Sequence, residues 1–100
     1  MKVTKGKENV FFDLGFSPAE ARNLRMRSQL MTALRKFIDK GRLTQAEAAK
    51  RLRVSQPRVS DLMRGKIGRF SLDALVTMSS DAGLEVDLRI TAKPVSRRVA

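Results

Sequence analysis

The residues best equipped for chemistry lie between Thr44 and Lys66. Gln45, Gln56, Arg58, Ser60 and Arg64 offer several hydrogen-bond donors and acceptors within a short stretch. None of them is a nucleophile paired with a base, because the chain has no His and no Cys. That absence removes Cys/His zinc sites, thiol nucleophiles, imidazole bases and disulfides. No glycine-rich phosphate loop is present. What remains is recognition. A Gln amide pairs bidentately with adenine and an Arg guanidinium with guanine. Asp61, beside them, could be mistaken for a catalytic acid. It serves more simply as a cytosine contact, as a repulsive filter against wrong sequences, or as an ion-pair partner for Arg58 or Arg64.

Net charge points the same way. The 100 residues carry 21 Lys and Arg against 10 Asp and Glu, a formal charge of +11. A small domain so charged favours a polyanionic partner. DNA, RNA and an anionic membrane surface all qualify. RNA is disfavoured because no aromatic platform is available to stack bases. No apolar run approaches the ~20 residues that span a bilayer. The start, "MKVTKGKENV", lacks the apolar middle of a signal peptide. The expectation is a cytoplasmic non-enzyme without metal or cofactor.

The positioning elements can be read from caps and periodicity. Ser17-Pro18-Ala19-Glu20 begins a helix, with Ser17 as cap and Glu20 closing a capping box. It runs to about Lys40, where Gly41 is the expected stop. Leu30, Leu34, Phe37 and Ile38 form its core face, extended by Leu24 and Met31. Arg22, Arg25, Arg27, Arg35 and Lys36 lie mostly off that face. Thr44 caps a second helix ending at Leu52, with Ala46, Ala49 and Leu52 as its apolar stripe. A third helix spans Ser55 to Arg64, with Val59, Leu62 and Met63 inward and Gly65 as terminator. "IGRF" is a connector. Ser71 caps a fourth helix that buries Leu72, Leu75 and Val76 and ends before Gly83. "LEVDLRIT" then alternates strictly, which is the pattern of a half-buried strand. One strand cannot satisfy its own backbone groups. It must pair with the N-terminal arm, with another protein or with a second copy of itself, the last giving a two-fold dimer.

Two short helices with a tight joint make sense when the first props the second outward. Pro57 is no obstacle, because it falls in the first turn, where N–H groups lack partners in any case. Gln56, Arg58 and Ser60 cluster near that leading end. Gln45 opens the propping helix, where free N–H groups can hold a phosphate. Arg53, Lys66 and Arg69 lie in turns alongside and are suited to phosphate contact.

Here the sequence resembles a known family. "TQAEAAKRLRVSQPRVSDLMRGK" is similar to the helix-turn-helix of the Xre/Cro/lambda-repressor-like proteins. The likeness covers residues 30–82. "NVFFDLGFSPAEARNLRMRSQL" and "GKIGRFSLDALV" resemble a branch of short Xre-type proteins, many of them antitoxins paired with RelE/HigB-like ribonucleases (the HigA-type branch). The alternation read above adds one C-terminal β-strand paired across a dimer, so the chain is expected to divide into an arm at 1–16, a DNA-binding domain at 17–83, a dimerising strand at 84–91 and a flexible basic tail at 92–100. The resemblance implies a mainly α, lambda-repressor-like bundle of four to five helices. It also implies a repressor that binds a palindromic operator in double-stranded DNA. The DNA-binding set is Thr44, Gln45, Arg53, Ser55, Gln56, Arg58, Ser60, Asp61, Arg64 and Lys66. Alternatives are a protein-interaction module without DNA binding and a phage-type repressor with no toxin partner. Two departures stand out. Arg53 occupies the inter-helix turn where the family often has Gly, and a strand replaces the fifth helix.

Overall fold

A computed structural model describes residues 15–92. Nearly all of the expected N-terminal arm and of the basic tail lies outside the described residues. Within them the chain is helical: α1 (Pro18–Lys40), α2 (Gln45–Leu52), α3 (Gln56–Met63), a 3-10 turn (Ile67–Arg69) and α4 (Leu72–Asp81).

Each helix starts on a hydroxyl cap. Ser17, Thr44, Ser55 and Ser71 accept from the backbone N–H of Glu20, Glu47, Arg58 and Ala74. Ser17 and Thr44 complete capping boxes, in which Glu20 and Glu47 accept from the cap's own N–H at 2.9 Å. The helix ends share one device as well. After α1, Arg42 N–H donates to Asp39 O and Leu43 N–H to Ile38 O. After α2, Arg53 bonds Lys50 O and Val54 bonds Ala49 O. Gly65 and Lys66 repeat the pattern after α3, and Gly83 and Leu84 after α4. These are Schellman motifs, each with one residue in the left-handed region. That residue is Gly65 or Gly83 in two cases and Arg42 (φ 52°) or Arg53 (φ 59°) in the others.

Gly41 is therefore not the left-handed residue that a helix stop usually requires. Its φ is −79°, and it is small for a different reason. A Cβ there would lie 3.2 Å from Phe37 O and 3.3 Å from Leu43 Cγ. Leu43 folds over the end of α1, so a side chain at position 41 would require its neighbours to give by a few tenths of an ångström.

The core gathers Met31, Leu34 and Ile38 of α1, Ala48 and Leu52 of α2, Val59 and Leu62 of α3, then Phe70, Leu75 and Met78. Two helix faces differ from the pattern read in sequence. On α2 the fully buried alanine is Ala48, while Ala46 is exposed and Ala49 half-buried. On α4 Val76 is exposed, and Met78 and Ser79 are buried. Ser79 is tolerated because its hydroxyl donates to Leu75 O at 2.8 Å. Arg27 also departs from a solvated role. It is half-buried, and its guanidinium donates to Asn23 Oδ1, Ile67 O and Phe70 O. It ties the 3-10 turn to α1.

The expected strand at 84–91 is not formed, and no strand occurs among the described residues. Leu84 packs on the core edge, but Leu88 and Ile90 stand 80% and 83% exposed. A strand needs a ladder partner, and the described part of the single chain offers none.

Two stability tests follow from these contacts. Arg27→Ala leaves the Ile67 and Phe70 carbonyls without their side-chain donor and lowers stability by about 1–3 kcal/mol in urea denaturation. Arg53→Gly relieves the left-handed backbone and raises stability by up to about 1 kcal/mol. A destabilised Arg53→Gly protein would mean that the arginine side chain contributes more than its backbone costs.

Candidate nucleic-acid interface

The interface is built from the joint between α2 and α3. Leu52, Val59 and Leu62 are fully buried in its inner angle, and Val54 packs beside them. Arg53 turns the chain with φ 59° and ψ 43°, as a residue replacing glycine there must. Its own side chain is exposed. The turn delivers Ser55 to the cap of α3, with Gln56 and Pro57 exposed in the first turn.

The start of α3 differs electrostatically from the other helix starts. α1, α2 and α4 carry Glu20, Glu47 and Asp73 in their first turns, whereas α3 carries no acidic residue there. The residue that would close a capping box is Arg58. Its N–H reaches Ser55 Oγ at 3.4 Å and Ser55 O at 3.1 Å. The positive end of the α3 dipole is thus not neutralised by the helix's own first turn. The α2 start is more fully occupied. The N–H of Thr44 and that of Glu47 are both spent on the reciprocal cap. Fewer amides remain there for a phosphate than the sequence suggested, but the Gln45 side chain is exposed.

Arg58 is not a free reader. It is half-buried, its guanidinium carbon 4.1 Å from the centroid of the Phe70 ring. Its Nη1 donates to Arg69 O at 2.6 Å. Arg69 in turn places its Nη1 3.4 Å from both carboxylate oxygens of Asp61. The ion-pair partner of Asp61 is therefore Arg69, rather than Arg58 or Arg64. Its side chain is only 15% exposed, against 59% for Arg69. The pair adds little to stability, because one partner is largely in solvent. It does keep Asp61 neutralised on a face rich in cations.

The remaining candidates divide by exposure. Thr44, Gln45, Arg53, Ser55, Gln56 and Arg64 are exposed, while Ser60 and Lys66 are half-buried. Sequence reasoning missed Phe70, which is 1% exposed and forms the platform under Arg58. The only signal was an aromatic residue closing the connector Ile67-Gly68-Arg69-Phe70. No cluster of acidic residues able to hold a metal occurs among the described residues. No helix among them is long and apolar enough to cross a membrane.

Comparison with known proteins agrees with this architecture. A family profile described as "Helix-turn-helix domain" matches residues 10–91. A solved structure described as an XRE family transcriptional regulator is 38% identical, with a TM-score of 0.71. The match covers 81% of this chain and 91% of that one. No curated protein matches the chain. With this profile match and this degree of identity and coverage, the chain belongs to the XRE family of helix-turn-helix transcriptional regulators.

Proposed function

We propose that the chain is a sequence-specific DNA-binding repressor that acts as a dimer. The observation that carries this is the leading end of α3, with Gln56 exposed and no acid in the first turn, in a chain whose formal charge is +11. Two such helices, related by a two-fold axis, would enter successive major grooves ~34 Å apart. A palindromic operator follows from that symmetry.

Roles divide according to freedom of movement. Gln56 is the free side chain at the leading end and reads a base edge, with adenine as its natural partner. Ser60 and Asp61 lie further along the helix and tune which sequences are tolerated. Gln45, Thr44, Ser55, Arg53, Arg64 and Lys66 hold phosphates and set register. Arg58 reaches guanine only with the donors that Phe70 and Arg69 O leave unused.

Within this reading the protein also serves as the antitoxin of a toxin–antitoxin pair. Support comes from the likeness of its flanking segments to short Xre-type antitoxins. The partner would be a RelE/HigB-like ribonuclease encoded beside it. Co-expression of the neighbouring gene product should give a stable complex and restore growth. A neighbour without ribonuclease activity would favour a stand-alone repressor.

Two measurements test DNA binding. Affinity for the chain's own upstream region should fall steeply with salt, with a log–log slope of about −0.9 per neutralised phosphate. A flat profile would exclude DNA as the partner. Gln56→Ala should weaken operator binding by about 1–3 kcal/mol while leaving binding to random DNA unchanged. Its effect on folding should stay within about 0.5 kcal/mol, because the side chain is exposed. Arg58→Ala should behave differently, lowering thermal stability as well as affinity, since it removes a half-buried contact with Phe70. Unchanged melting with Arg58→Ala would show that the stacking contributes nothing to the fold.

A further inference from the structure

Asp61 is the one carboxylate of α3, and its side chain is 15% exposed. Arg69 lies against it, with Nη1 3.4 Å from both carboxylate oxygens. Those separations exceed the ~2.7–2.9 Å of a strong charge-assisted bond. The contact is weak, and a pair with one partner largely in solvent opens at little cost. The backbone of Arg69 has a separate task. Its carbonyl accepts from Arg58 Nη1 at 2.6 Å, and rotation about side-chain bonds leaves that carbonyl in place. The Arg69 guanidinium can therefore leave Asp61 without releasing Arg58.

A carboxylate this covered then needs another donor. In the major groove, guanine and thymine present acceptors, and adenine flanks its N6 donor with the N7 acceptor. Cytosine offers its N4 amino group with no acceptor beside it. Cytosine is thus the base edge that satisfies an acceptor-only side chain without repulsion.

We propose that Asp61 and Arg69 form an exchange pair that couples cytosine recognition to phosphate binding. On DNA of the wrong sequence the pair stays closed: Arg69 screens Asp61 from the phosphates and contacts none itself. On the operator, Asp61 accepts from cytosine N4, and the released Arg69 turns to a backbone phosphate. One weak ion pair is replaced by two contacts, and only where the base is right. Asp61 is then a specificity-determining residue, and Arg69 supplies a phosphate contact that non-specific DNA does not receive.

This rests on the DNA-binding reading above and names how one of its residues discriminates. The test uses the full chain, a duplex that the wild-type chain enriches from a random-sequence pool, and an unenriched duplex of equal length. Arg69→Gln should make the log–log salt slope shallower by about 0.9 on the enriched duplex and leave it unchanged on the other. Asp61→Asn frees Arg69 on any DNA, and should steepen the slope by about 0.9 on the unenriched duplex alone. It should also lose a preference for cytosine at one position of each half-site, worth about ten-fold in affinity. Thermal melting of both variants should match wild type, because the pair adds little to the fold. If Arg69→Gln lowers both slopes equally, Arg69 is a permanent phosphate clamp. If it lowers neither, Arg69 is a static screen. Either result overturns the exchange while leaving DNA binding intact, as does a cytosine preference that Asp61→Asn retains. A wild-type chain that enriches no sequence overturns sequence-specific binding itself, and the exchange with it.

Discussion

The structure depends on how short helices satisfy their ends. α2 and α3 are eight residues each, below the length at which an isolated helix is stable in water. Each such helix has four unpaired N–H groups at one end and four unpaired C=O groups at the other. Almost as much of its backbone is end as middle. The chain meets this with repeated means: a hydroxyl cap at every start and a Schellman turn at every finish. The turns also direct the chain. Because the left-handed residue after α2 is fixed, the exit angle is fixed, and α3 is aimed before any packing is considered.

Packing then makes that aim rigid. Leu52, Val59 and Leu62 fill the inside of the joint, and Ala48 lets it close. Arg27 holds the 3-10 turn from behind, and Phe70 is buried just beyond it. Phe70 is therefore anchored in the core while its ring supports Arg58 on the outside. A link runs from α1 through Arg27 and Phe70 to the outer face of α3. Its members are side-chain contacts between segments some forty residues apart in sequence.

That separation explains which features were legible in the sequence. Caps were readable because they are local: Ser17, Thr44, Ser55 and Ser71 lie where their helices begin, and Arg53 falls in the inter-helix turn where the sequence placed it. The core faces of α1 and α3 were readable from large apolar residues at helical spacing. The face of α2 was not, because Ala46, Ala48 and Ala49 are chemically equal and only the neighbouring helices decide which is covered. Val76 lost its place to Met78 and Ser79 for a similar reason. Arg27 read as part of a solvated face and Arg58 as a free guanine contact, because sequence does not show that carbonyls or an aromatic ring await them. Gly41 was read as a conformational glycine, but the demand on it is space. The alternation of residues 84–91 was real, but the pattern fixes a face, and a strand also requires a partner.

Arg58 and Arg69 matter for how the proposed recognition would be divided. An unrestrained arginine loses rotamer freedom when it contacts a base, and that loss opposes binding. Arg58 has already lost it, since Phe70 and the Arg69 carbonyl hold the guanidinium. Gln56 retains its freedom and loses it only on contact. One leading turn thus combines a pre-organised cation with an adaptable amide, on a helix start that carries no acidic residue. The Asp61–Arg69 pair completes the division. It places the one carboxylate of α3 against a cation of its own chain, so that approaching phosphates meet a paired charge. The same residue that supplies the carbonyl for Arg58 supplies the guanidinium for Asp61. Arg69, in a connector that carries no recognition motif, is therefore where the backbone and side-chain restraints on α3 meet.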